Sequence, residues 1–127
     1  MRLLLDTHAL IWAVSEPRRL PAAWHAAITA LDATVFVSAV TAWEIAIKRA
    51  LGRVNFPLEK LDATLEEAGF EHLPILAEHG IAAGGLPRHH GDPFDRMLVA
   101  QARLEGLTLV SDDAAIAAYD VRLLATH

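Results

Sequence analysis

The sequence predicts an α/β fold: a three-layer α/β/α sandwich around a mainly parallel central sheet. Three observations carry this. Runs at residues 2–5, 34–37 and 107–110 are short and largely apolar, as strands buried on both faces are. Longer segments with helical spacing separate them. The chain has 127 residues, 54% of them hydrophobic, which suits one compact domain over 1–127.

The elements follow in order. Residues 2–5 form the first strand. His8 to Val14 reads as helix, with Pro17 beyond its end. Pro21 to Leu31 is a second helix that opens on proline, whose fixed φ suits a first turn. Thr34 to Val37 is β-branched and aromatic, a buried strand. Ser38 to Leu51 is helical and Gly52 stops it. Leu58 to Ala68 is an acidic helix ended by Gly69, and Glu71 to Ile75 is a strand. Ala77 to Ala83 is helical up to Gly84-Gly85, and Pro93 to Glu105 is helical up to Gly106. Leu107 to Val110 is a strand, Asp113 to Ala118 a short helix and Val121 to Leu124 a last strand. Ligands of such sheets bind beyond the carboxyl ends of the strands, so chemistry is sought there.

Composition narrows the function. There are no cysteines, which removes disulfides and thiolate metal sites. Asp6 and His8 interrupt the apolar start too early for a signal peptide, and no run approaches the ~20 apolar residues of a membrane span. A soluble, cytoplasmic chain is expected. The net charge of −5 opposes broad non-specific nucleic-acid binding. The bases are nonetheless clustered, at Arg18 and Arg19, at Lys48, Arg49 and Arg53, and at Arg88.

The carboxylates carry the chemistry. Asp6 directly follows the first strand; it is either the N-cap of the next helix or a functional acid. In Asp92-Pro93-Phe94-Asp95, Asp92 suits an N-cap with proline behind it, and Asp95 is short for a capping box. Ser111-Asp112-Asp113 offers one helix cap and leaves a surplus acid at another strand end. Glu44 lies on a narrow polar stripe, Thr41, Glu44 and Lys48, of an otherwise apolar helix. It is either half of an exposed pair with Lys48 or an acid aimed into a cleft. If these acids converge, two carboxylates about 4 Å apart repel by about 4 kcal/mol at an effective dielectric of about 20. Such a group takes up protons or a cation, and oxygen donors favour Mg²⁺ or Mn²⁺.

Other chemistries find less support. His8, His25, His72, His79, His89, His90 and His127 show no zinc-type spacing. His89-His90 precedes the Asp92 helix and reads as a solvated loop, with contact to substrate as the lesser alternative. No phosphate-binding glycine loop or nucleophile elbow is present. Trp12, Trp24 and Trp43 fit helix faces that pack into the core.

Four blocks resemble PIN-domain nucleases, specifically VapC-type toxins of type II toxin–antitoxin pairs. They are Leu-Leu-Leu-Asp6-Thr-His-Ala-Leu-Ile-Trp; Val-Ser38-Ala-Val-Thr41-Ala-Trp-Glu44-Ile-Ala-Ile-Lys48; His-His-Gly-Asp92-Pro-Phe-Asp95-Arg-Met-Leu-Val-Ala-Gln-Ala; and Leu-Val-Ser111-Asp112-Asp113. They occur in the family's order across nearly the whole chain.

The resemblance implies that Asp6, Glu44, Asp95 and Asp113 are catalytic and hold Mg²⁺ or Mn²⁺, with Asp92 as an accessory acid. Asp113 is chosen over Asp112 on register. Lys48, Arg96 and Ser111 are the implied substrate contacts. The implied reaction is hydrolysis of RNA phosphodiesters, leaving a 3′-hydroxyl and a 5′-phosphate. The implied partners are an antitoxin that blocks the cleft and a second copy of the chain. Two other readings stand beside it. One is a non-catalytic RNA- or protein-binding PIN domain; the other, a module phosphorylated on Asp6, lacks the expected second Asp, since His8 stands there.

Overall fold

A computed structural model describes residues 1–126, so His127 lies outside the described residues. The elements are β1 (Arg2–Leu5), α1 (Thr7–Ser15), α2 (Ala22–Thr29), β2 (Thr34–Ser38), α3 (Ala39–Ala50), α4 (Leu61–Ala68), β3 (Glu71–Leu73), α5 (Ala77–Gly84), α6 (Pro93–Glu105) and β4 (Thr108–Val110). Gly69 and Gly106 end α4 and α6 with φ of 75° and 68°, a left-handed turn that residues with a Cβ adopt at a cost.

The four strands form one parallel sheet in the order β3-β2-β1-β4. Leu3 pairs with Val35, Leu4 with Leu109, and Leu5 with both Val37 and Val110. Strand alternation then separates two cores. Leu3 and Leu5 join Leu10 of α1, Trp24 and Ile28 of α2, and Leu65 of α4 on one face. Leu4 joins Leu98, Val99 and Ala102 of α6 on the other, and α5 packs against α6. The three layers expected from sequence are therefore present.

β1 has β2 on one side and β4 on the other. The crossovers diverge at its carboxyl end, and the crevice they leave opens at Asp6. α3 follows β2 at this edge of the sheet and contributes to both cores, Ile45 to one and Val40 to the other.

Several expectations are corrected. The stripe of α3 that carries polar residues faces inward: Thr41 and Glu44 are buried with Val40 and Ile45. Trp43 projects from the opposite side, 58% exposed, so it is not a core residue. Trp24 is fully buried, and Trp12 is partly buried against the same core. Asp113 to Ala118 yields only a 3-10 turn at Ile116–Ala118, since one turn fixes many dihedrals for few hydrogen bonds. Val121 to Leu124 is not a strand; a single parallel bridge joins Leu123 to Leu109 at the sheet edge. A 3-10 turn, Leu58–Lys60, precedes α4 where one continuous helix was expected. Among the described residues no helix is long and apolar enough to cross a membrane.

Candidate functional site

Asp6 directly follows β1 and is the N-cap of α1. Its backbone N–H still pairs with Val110 O, extending the sheet, while its Oδ1 caps α1 by accepting from Ala9 N at 2.8 Å. The side chain is buried, and burial raises its carboxyl above the ordinary range; hydrogen bonds from Ser111 and Ala9 oppose this, and nearby Asp112 adds to it. Ser111 is also buried, and its hydroxyl accepts from Asp113 N at 3.2 Å. That hydroxyl thus bridges Asp6 and the Asp113 loop.

Glu44 reaches the same corner from α3. Thr7 donates to its Oε1 at 2.6 Å, and Lys48 pairs with its Oε2 at 2.5 Å. The pair with Lys48 therefore exists, but its acid half is 8% exposed and its base half 39%. The pair is therefore not set on an exposed edge.

α6 supplies two acids from its first turn. Asp92 Oδ1 caps the helix, accepting from Phe94 N at 2.9 Å and Asp95 N at 3.2 Å. Asp95 lies one turn inside, and its carboxyl is pushed up to about 7. Burial is the largest cause; Asp92, Asp113 and Glu44 raise it further, and a hydrogen bond from His90 opposes them. Asp113 comes from the loop after β4, is exposed, and turns that loop by accepting from Ala115 N at 2.9 Å.

The acids thus meet in one crevice. Asp95 feels the charges of Glu44, Asp92 and Asp113, while Thr7 ties the Asp6 corner to Glu44. Asp112 acts on Asp6 and Asp113 on Asp95, so both members of that pair border the crevice. The crevice is open: no three of these carboxylates have oxygens mutually within 4.8 Å. Mg²⁺ keeps most of its water and binds through one or two carboxylates, so open all-oxygen spacing fits it better than it would a dedicated cage.

Among the described residues the trio with such spacing, Glu78, His79 and Glu105, lies away from these acids. His79 Nδ1 accepts from Leu76 N at 2.9 Å, so the neutral ring carries its proton on Nε2, 3.1 Å from Glu105 Oε2. No lone pair on Nε2 is left for a metal. The trio opens α5 and fastens it to α6.

Arg96 departs from its expected role. Its guanidinium donates to Pro87 O, Ala83 O, Leu86 O and Tyr119 Oη, at 2.9 to 3.2 Å. Those donors hold the loop between α5 and α6 and are not directed at a phosphate. Two partners of the acids, Thr7 and His90, and the Tyr119 that bonds to His90, carried no sequence signal strong enough to single them out as such. The Asp6-Thr7 pair and the His89-His90 step before Asp92 were the available hints.

Residues 3–122 match the PIN domain. The chain belongs to the PIN-domain family. Several solved structures share the fold. The VapBC2 complex of Rickettsia felis, bound to a DNA fragment from its promoter, has a TM-score of 0.69 and 15% identity, covering 98% of each chain. FitAcB of Neisseria gonorrhoeae has a TM-score of 0.67 and 22% identity, covering 98% of this chain and 97% of that one. A toxin–antitoxin complex from Klebsiella pneumoniae has a TM-score of 0.70 and 18% identity, again covering 98% of each chain. No curated protein matches the sequence. PIN domains are generally nucleases that use divalent metals, and the acids of this PIN domain lie where its sheet topology opens a crevice.

Proposed function

We propose that this PIN domain is a metal-dependent endoribonuclease, acting in the cytoplasm as the toxin of a toxin–antitoxin pair of the VapC type. One observation carries the reading: Asp95 is half-buried among acids, and burial first, then the charges of Asp92, Asp113 and Glu44, push its carboxyl up to about 7. A divalent cation relieves that repulsion more fully than one proton does. The donor set suits Mg²⁺ or Mn²⁺, since every candidate ligand is an oxygen.

Asp6, Glu44, Asp95 and Asp113 would hold the ion, with Asp92 beside them. A bound Mg²⁺ or Mn²⁺ supplies charge neutralisation at the phosphate and a lowered water pKa. The chain's own contributions are positional. The α1 cap fixes Asp6, Thr7 fixes Glu44, and Ser111 links Asp6 to the Asp113 loop. Lys48 neutralises Glu44 in the ion-free chain, and its part-exposed ammonium is available to a phosphate oxygen of RNA.

The partners follow from the same reading. The structural relatives are toxin–antitoxin assemblies, which supports an antitoxin that covers this crevice. A homodimer belongs to the reading as well; Trp43, exposed and set edge-on to Phe94 at 5.2 Å, offers an apolar surface for it.

The test is cleavage of RNA by the purified chain with Mn²⁺, read from the new ends. Wild type should give 5′-phosphate ends, and Asp6→Asn should lose about 100-fold or more of the rate while keeping the α1 cap, because Asn caps as well as Asp. RNA bound but left intact with Mn²⁺ present would favour the non-catalytic binding reading instead.

A further inference from the structure

Behind Asp95, three side chains outside the acid cluster are joined in a line. Arg96 Nη1 lies 3.2 Å from Tyr119 Oη. Tyr119 Oη lies 2.8 Å from His90 Nδ1, and His90 Nε2 lies 3.4 Å from Asp95 Oδ2. Tyr119 is the sole tyrosine and is buried; His90 is 19% exposed and Asp95 16%. Two of the links span more than twenty residues, 29 between His90 and Tyr119 and 23 between Arg96 and Tyr119, so local sequence does not produce the line.

The direction of each bond can be fixed. Guanidinium only donates, so the Tyr119 oxygen accepts from Arg96. The single Tyr119 proton has two acceptors in reach, His90 Nδ1 at 2.8 Å and His90 O at 3.4 Å. The shorter contact takes it. Nδ1 is then an acceptor, so the neutral ring carries its proton on Nε2, facing Asp95 Oδ2. Every bond runs the same way, from a permanent cation to a carboxylate. The cation cannot drift, because three backbone carbonyls, Ala83, Leu86 and Pro87, hold it.

We propose that Arg96, Tyr119 and His90 form an oriented hydrogen-bond chain that holds Asp95 Oδ2, leaving Oδ1 for the divalent ion. The proposal rests on the nuclease reading for the ion and on geometry alone for the chain. The three are positioning residues, since none is placed as a ligand. Partners of this kind fix the rotamer of a ligand, and their loss usually weakens metal affinity by about 10- to 100-fold. Here the chain also opposes the burial and repulsion that favour the protonated form of Asp95. The clamp by which Arg96 folds the loop between α5 and α6 thereby becomes part of the site.

The test uses the full chain and two readouts. Ring ¹⁵N shifts of His90, recorded without metal, should show Nε2 protonated and Nδ1 bare. A ring protonated on Nδ1 instead would overturn the proposal whatever the protein does with metal. Mn²⁺ affinity is then compared across Tyr119→Phe, His90→Leu and His90→Gln. Tyr119→Phe and His90→Leu should bind about 10-fold more weakly, whereas His90→Gln, whose amide reaches the place of Nε2, should recover most of the loss. A folded Tyr119→Phe with wild-type Mn²⁺ affinity overturns the proposal. If Tyr119→Phe does not fold, the leucine and glutamine variants of His90 decide: equal affinity in both overturns it. A wild-type chain that binds no Mn²⁺ removes the nuclease reading and the ion-facing half of the proposal, while the tautomer still reports on the hydrogen-bond chain.

Discussion

The Thr7 hydroxyl donates to Glu44 Oε1 at 2.6 Å, across 37 residues of sequence. It joins the carboxyl end of β1 to α3, which enters both cores. A buried carboxylate that loses a donor bears the cost of its own desolvation. Thr7→Val keeps the shape and removes the donor, so it should destabilise the metal-free chain by about 1–3 kcal/mol, and Thr7→Ser should restore most of this. Urea unfolding of the three proteins measures it. A neutral Thr7→Val would mean that the bond contributes nothing.

The raised carboxyls make stability depend on pH with a definite sign. Asp95 titrates from the ordinary 3.8 up to about 7 on folding, so between those values the folded chain holds a proton that the unfolded chain releases. Stability is therefore lost as pH rises through that window, and the raised carboxyl of Asp6 acts in the same direction. Asp95→Asn should flatten the decline and stabilise the metal-free protein at about pH 8 by on the order of 1–3 kcal/mol. Melting temperature against pH for both proteins, with metal chelated, checks it. A wild-type protein that gains stability relative to the variant as pH rises would contradict the assignment.

The orientation of α3 is testable with tryptophans. Trp24 is fully buried and Trp43 is 58% exposed. Trp24→Ala should cost about 3–5 kcal/mol in the isolated chain, and Trp43→Ala about 1 kcal/mol or less. Chemical unfolding at low protein concentration separates them. Equal costs would place Trp43 in the core and turn Glu44 outward.

What sequence reveals about this site follows from how far each determinant reaches. Asp92 with Pro93 behind it is a local cap, legible from neighbours alone, and α6 begins and ends where it was expected. Asp6 was legible because a short apolar strand stops at it. Glu44 was half legible. Periodicity shows which residues share a helix face but not which face turns inward, so Thr41, Glu44 and Lys48 were visible as a stripe while Trp43 was assigned to the core. The residues after Val110 depended on pairing at the sheet edge, and they settle as a bridge and a 3-10 turn. His90, Tyr119 and Arg96 meet only through tertiary packing, and no spacing announces contacts of that kind.

In the proposed function, acids from four separate segments form one divalent-ion site. Calorimetric titration of Mn²⁺ into wild type, Asp6→Asn, Glu44→Gln, Asp95→Asn and Asp113→Asn tests it most directly. One site is expected in the wild type, weakened by about 10-fold or more in each folded variant. Wild-type affinity retained by both Glu44→Gln and Asp113→Asn would contradict it.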